Sequence, residues 1–149
     1  MSAPIHVEES VEIAKPPAEV WEAIADYAFD SKWRNGLREM TPDPPGQPAP
    51  GTKVHEVVRS TGRDYVADTV VTEVEPGVSY RFAGSGTIGG VAGGRAVRAG
   101  TAGDAVFTYA IDLEPRGGMR LLSPVLGPMV RSGLKKDLRT LKTLLDGDR

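Results

Sequence analysis

The sequence predicts an α+β fold: a strongly curved antiparallel sheet of about seven strands wrapped around one long C-terminal helix, with two short helices after the first strand. Three observations lead there. Short segments of period-two alternation recur along the chain between turn signals, and 18 Gly and 12 Pro favour many short strands over a helical bundle. The C-terminal segment then changes period: Leu122, Leu126, Met129, Val130, Gly133, Leu134, Leu138, Leu141 and Leu145 fall on one helical stripe. Finally, the order strand, two helices, six strands, long helix is satisfied by a sheet whose concave face the last helix covers. A curved sheet and a straight helix diverge, so this arrangement tends to leave a cavity between them.

Each element has a local cause. Ile5 to Ile13 alternates, with Val7, Glu9, Val11 and Ile13 on one side and His6, Glu8, Ser10 and Glu12 on the other, as an edge strand does. Lys15-Pro16-Pro17 stops it. Proline is tolerated in a first helical turn and Glu19 suits the helix dipole, so Pro17 to Ala25 reads as a short helix carrying Val20, Trp21 and Ile24. A second helical turn is expected at Phe29 to Trp33, ending near Asn35-Gly36. A short strand at Leu37 to Thr41 leads into Pro42 to Gly51, whose five prolines remove five backbone donors and mark a loop that cannot pair within a sheet.

Strands are expected again at Lys53–Arg59, Tyr65–Glu75 and Val78–Ala83, with turns at Ser60–Arg63 and Pro76-Gly77 and a bulge before Val74. Gly84 to Gly94 reads as a glycine-rich corner, Arg95–Arg98 as a weak strand and Asp104–Glu114 as a strong one. Ser123-Pro124 looks like N-cap and first position of the last helix. Pro128 lies too deep for a first turn, so the helix either bends there or begins near Gly127; it should stop at Gly147.

Composition bounds the function. At 149 residues the chain is expected to form one domain, residues 1–149, and 40% hydrophobic content suffices for a core. A net charge of −2 offers no global field for nucleic acid or acidic lipid. The absence of Cys removes disulfides, thiolate nucleophiles, thiolate metal sites and iron–sulfur clusters. No apolar run approaches the about 18–20 residues of a membrane span, and MSAPIHVEES is too polar for a signal peptide. The expectation is a cytoplasmic protein without stable membrane insertion, monomeric or homodimeric.

Several motifs are tempting and lack their context. Gly84-Ser85-Gly86-Thr87-Ile88-Gly89 matches G-x-G-x-x-G, but no helix opens at the third glycine, so the physics of a dinucleotide site is missing. His55-Glu56-Val57-Val58-Arg59 has Arg59 where a second metal ligand should stand, and it lies in a strand pattern, where residues four apart do not converge. With only His6 elsewhere, no histidine metal site is expected. Ser85 lacks the glycines of a nucleophile elbow, Ala83 and Thr87 standing in their places. Arg131, Lys135, Arg139 and Lys142, with Lys136 nearby, line one flank of the last helix; a solvated flank explains them better than a basic lip for an anionic ligand.

The informative set lies on the expected concave face. If Phe107, Tyr109 and Ile111 point inward, alternation places Tyr80 and Phe82 inward too, and Tyr65, Ala67, Thr69 and Val71 form the apolar set of their strand. Buried Tyr is an apolar wall with a polar tip, which suits a flat or amphipathic ligand. In the strand before, Val54/Glu56/Val58 and His55/Val57/Arg59 are equally plausible inner faces. The ligand-lining candidates are Trp33, Val54, Tyr65, Val71, Tyr80, Phe82, Phe107, Tyr109, Ile111, Leu126, Met129, Val130, Gly133 and Leu134. No metal or cofactor is expected.

The chain resembles the polyketide cyclase/dehydrase-like branch of the START/Bet v 1-like (SRPBCC) superfamily. The resemblance is carried by Val11 to Trp21, Trp33, Gly51-Thr52-Lys53-Val54, Val71 to Pro76 and Leu138 to Leu145, in order along nearly the whole chain. It implies a helix-grip fold and a hydrophobic cavity for lipids, sterols, polyketides or other apolar molecules. Some members are cyclases or aromatases in which cavity Arg and Tyr groups orient a poly-β-keto chain; others only bind or carry ligand. No position matches a catalytic residue of those enzymes, so none is assigned. The Gly84–Gly94 stretch has more glycine than such corners usually show.

The leading expectation is therefore binding or transport of a small hydrophobic ligand. A cyclase or dehydratase-type enzyme is the alternative, needing Tyr65, Tyr80 or Tyr109 as proton donors and Arg59 or His55 as electrophile or base. A protein-interaction module is third, and an outer face carrying Arg81, Thr108 and Asp112 argues against it.

Overall fold

The computed structural model describes residues 4–147. β1 (Ile5–Ile13) is followed by α1 (Pro17–Ile24), a 3₁₀ turn at Tyr27–Phe29 and α2 (Asp30–Trp33). Six strands come next: β2 (Leu37–Asp43), β3 (Lys53–Ser60), β4 (Arg63–Glu75), β5 (Ser79–Gly86), β6 (Gly89–Ala99) and β7 (Ala105–Pro115). A 3₁₀ segment, Gly117–Leu122, leads into α3 (Ser123–Asp146). The sheet order is β1-β7-β6-β5-β4-β3-β2, every neighbour antiparallel, so the meander from β2 to β7 closes onto β1 and the two edges are β1 and β2.

Three local expectations need correction. Pro42 and Asp43 do pair, opposite Val54 and Lys53. β2 is an edge strand, and an edge tolerates the missing proline donor. The stretch Gly84 to Gly94 is not a corner: Gly84 to Gly86 end β5 and Gly89 to Gly94 open β6, with only Thr87-Ile88 between. Its glycines permit close backbone approach. A Cβ at Gly84 or Gly86 would lie 2.0 or 1.8 Å from the β4 carbonyl oxygens of Asp68 and Val66. At the start of α3, Leu122 rather than Ser123 is the cap residue, with no side-chain cap bond, and the helix runs through Pro128. Pro124 and Pro128 both lie on its exposed side, where water can serve the carbonyl that loses its partner.

Other features follow the alternation closely. The β4 bulge falls between Val71 and Glu73, and the open register of β3 resolves with Val54, Glu56 and Val58 on the concave side. α1 buries Val20, Trp21 and Ile24, and Trp21 meets Tyr80 edge-on at 6.3 Å between centroids. α3 buries Leu126, Leu134, Leu138 and Leu141.

The basic flank of α3 is partly a fastening rather than a solvated face. Arg131 pairs with Glu9, Lys142 donates to the Glu12 carbonyl at 2.6 Å, and Asp146 accepts from the Ala14 amide at 2.7 Å. Asn35 donates through its backbone and side-chain nitrogens to Asp137 at 2.9 and 3.0 Å, tying the turn after α2 to the same helix. α3 is thus held along β1 and α2, and the rest of the curved sheet diverges from it.

Candidate functional site

The divergence leaves a cavity of about 180 Å³ between α3 and strands β3 to β7. The sheet walls follow strand alternation except at Val66, between Tyr65 and Ala67, and at Ile88 in the β5–β6 turn. Val58 and Ser60 come from β3, Tyr65 and Ala67 from β4, Phe82 from β5, Val91 from β6, and Tyr109, Ile111 and Leu113 from β7. α3 contributes Met129, Val130, Gly133, Leu134 and Asp137. A Cβ at Gly133 would meet nothing within 4 Å, so this position faces open space rather than a close-packed neighbour.

Of the residues expected to line a ligand site, Tyr65, Phe82, Tyr109, Ile111, Met129, Val130, Gly133 and Leu134 surround this cavity. Val54 and Tyr80 border a second space of about 10 Å³ behind Phe82 and Tyr109, room for a single water. Trp33, Val71 and Phe107 belong to the packed core, and Leu126 packs with Ile88, Leu113 and Met119. Trp33 is fully buried and meets Phe107 and Tyr109 edge-on, with centroids 6.0 and 6.3 Å away.

The interior also holds charges that alternation alone did not single out. Arg95, 1% exposed, faces inward from β6 and forms a forked pair with Asp30: Nη1 donates to Oδ1 at 3.0 Å and Nη2 to Oδ2 at 2.5 Å. It also donates to the Ile24 carbonyl at 2.9 Å and to the Tyr109 hydroxyl at 3.4 Å. Its guanidinium lies over the rings of Tyr109 (4.6 Å), Trp33 (5.0 Å) and Tyr80 (5.9 Å). Arg34 continues the chain of charges, donating to Asp30 Oδ2 at 3.5 Å and to Glu56 Oε2 at 2.6 Å.

Burial works against both guanidinium charges. The carboxylates outweigh it, Asp30 at Arg95 and chiefly Glu56 at Arg34, and hold both pKa values above the ordinary one. Burial pushes the Tyr27 phenol up to about 12 and Tyr80 well above 10. These groups stay un-ionised across the physiological range.

The signal for Arg95 was present as alternation. It stands in phase with Val91, Gly93 and Val97, opposite Tyr109 in the ladder. An arginine in a weak strand reads as surface, however, and its partner Asp30 lies 65 positions away. Arg34 and Asp137 meet at the cavity for a similar non-local reason, the α2–β2 turn being pinned against α3, whereas Glu56 belongs to the Val54/Glu56/Val58 face of β3.

His55 and Arg59, considered as a base and an electrophile, stand outside. His55 pairs with Asp68 at 2.6 Å and Glu39 at 3.6 Å, and Arg59 with Asp64 at 3.0 Å, all across the exposed face. The Asp68 hydrogen bond raises the His55 pKa above 6.5. Among the described residues no cluster of His, Cys, Asp and Glu is arranged to hold a metal ion, and no helix is long and apolar enough to cross a membrane.

Comparison with solved structures gives the same architecture. The Zhui aromatase/cyclase from a Streptomyces species superposes with a TM-score of 0.81 at 16% identity, covering 97% of this chain and 94% of that one. The ginseng major latex-like protein 151 from Panax ginseng gives 0.76 at 12% identity, over 97% and 99%. A START superfamily protein from Mycobacterium smegmatis gives 0.68 at 18% identity, over 96% and 95%. At these identities the likeness is one of fold. No curated protein sequence matches the chain. The family model described as polyketide cyclase / dehydrase and lipid transport matches residues 4–146. With the helix-grip sheet, the α3 stripe and the cavity between them in place, the chain belongs to the polyketide cyclase / dehydrase and lipid transport family.

Proposed function

We propose that the protein binds or carries a small hydrophobic molecule in the cavity between the sheet and α3. The observation that carries this reading is the cavity itself: about 180 Å³, walled by Val58, Ala67, Phe82, Ile111, Met129 and Leu134. Apolar ligand surface buried there contributes roughly 25 cal/mol per Å². The size suits a compact ring system, since a cavity of about 150 Å³ accommodates benzene.

An enzyme of cyclase or dehydratase type is the second reading, and one observation favours it. The Tyr109 phenol, which accepts from Arg95 at 3.4 Å, and the Arg34 guanidinium both border the cavity. They are the kind of groups that orient and polarise a carbonyl oxygen. On either reading the whole chain acts as one domain, in the cytoplasm, as a monomer or homodimer, with a small molecule and not nucleic acid as partner.

Native mass spectrometry of the gently purified protein, followed by extraction of whatever is bound, tests the proposal. A co-purifying apolar molecule supports it, and incubation of that molecule with fresh protein decides between carriage and turnover. A protein that arrives empty and takes up neither naphthalene nor the larger Nile red would overturn it and bring forward the protein-interaction reading.

A further inference from the structure

Resting on the ligand-binding reading above, we propose that the cavity selects an uncharged ring molecule carrying a hydrogen-bond donor, such as a hydroxyl, and rejects carboxylates, with Glu56 as the residue that sets this preference. Apolar volume alone does not distinguish a neutral ring from an aromatic or fatty acid. The polar groups do.

Arg34 is the one cationic side chain lining the cavity among the described residues, and it shares that lining with two carboxylates, Glu56 and Asp137. Its charge is already spent on Glu56 Oε2 at 2.6 Å and Asp30 Oδ2 at 3.5 Å. Arg95 is no substitute, because Asp30 holds it in a forked pair outside the main cavity. A ligand carboxylate would have to displace Glu56 from Arg34. That would leave Glu56, with its side chain 17% exposed, facing a second anion without a counter-ion.

A hydroxyl meets the opposite situation. Glu56 engages Arg34 through Oε2 and Asp137 engages Asn35 through Oδ1, leaving Oε1 and Oδ2 to accept a ligand O–H. Tyr109 accepts from Arg95, so its own proton remains to be donated to a ligand oxygen. A site built to hydrogen-bond a hydroxyl discriminates strongly against ligands that leave those groups unmatched.

The test is a matched set on one ring: 2-naphthol, 2-naphthamide and 2-naphthoate, titrated calorimetrically at neutral pH into the full chain. Naphthol and the neutral amide are expected to bind at least about tenfold more tightly than naphthoate, the amide separating charge from size. Glu56→Gln should shrink the gap by strengthening naphthoate and weakening naphthol. Asp137→Asn, at a solvent-reaching position on α3, should shrink it by a smaller factor and serves should Glu56→Gln fail to fold. Naphthoate binding as tightly as naphthol, or a gap unchanged in these variants, overturns the proposal. Uptake of Nile red without any of the three naphthalenes overturns this selectivity while leaving ligand binding intact. Uptake of none of the four removes both.

Discussion

The two ends of the interior share the same sheet and the same helix, yet one end is solid and the other is open. At the end near α1, successive inward positions carry Val71 on β4, Tyr80 on β5, Arg95 and Val97 on β6, Phe107 on β7 and Leu138 and Leu141 on α3. Toward the β3–β4 hairpin, small residues enter two of these rows: Val71 gives way to Ala67 on β4, and Leu138 and Leu141 to Gly133 on α3, while Tyr65, Phe82 and Tyr109 stand around the space. Divergence of a straight helix from a curved sheet creates space at both ends. Trp33, Tyr80, Phe107 and the Arg95–Asp30 pair occupy it at one end, and Ala67 and Gly133 leave room between the larger walls at the other.

This contrast assigns stability to the solid end and, on the proposed function, ligand binding to the open end. The largest effect should come from Asp30→Ala, which strands the Arg95 charge at a site 1% exposed and should cost about 3–5 kcal/mol in urea unfolding. The double variant Asp30→Leu with Arg95→Met should recover most of that loss, because it removes both charges and keeps apolar bulk. A small loss for Asp30→Ala alone would break the assignment of stability to this end.

Leu141→Ala, in a fully buried side chain, should cost about 2–5 kcal/mol, whereas Met129→Ala on the cavity wall should cost distinctly less in the same unfolding experiment. Equal losses would mean that the open end is as tightly packed as the solid one. Gly133→Leu places a side chain where a Cβ meets nothing, and it should abolish Nile red uptake. Stability should stay level or rise by up to about 1 kcal/mol from improved helix propensity. Unfolding, or unchanged uptake, would break the placement of Gly133 at the cavity.

The smallest effect concerns neither end. His6, through its bond to Asp112, and His55, through its bond to Asp68, are held above the ordinary value of 6.5 on the outer face. The folded state therefore binds these protons more tightly than the unfolded chain. The stabilisation is fully present below pH 6.5 and is lost as pH rises through the folded values above it. Melting temperature should fall slightly over that window, Asp68→Asn should remove the His55 part, and probe binding should not follow.

Local patterning made much of the molecule legible. Alternation in Ile5–Ile13 and Ala105–Pro115, the turns at Gly62 and Gly77, and the stripe from Leu126 to Leu145 depend on neighbours a few residues away. The wall of Tyr65, Phe82, Tyr109 and Ile111 follows from the same period. The glycines of β5 and β6 are not legible locally, because a glycine run signals a turn equally well as a close approach of two strands. Only the pairing of Thr69 and Ala67 against Gly84 and Gly86 distinguishes them. The inward face of β3 had two equivalent registers until β4 paired with it.

Sequence by itself determined the α+β architecture, its element order and the apolar faces, because helix and strand periods are local properties of the chain. Tertiary structure alone decided which half of the interior stays open and how its charges are matched. Arg95 meets Asp30 from 65 positions away, and Arg34 joins Glu56 from 22. Such pairings depend on the curvature of the sheet and on the α2–β2 turn held against α3, which no short stretch of residues encodes.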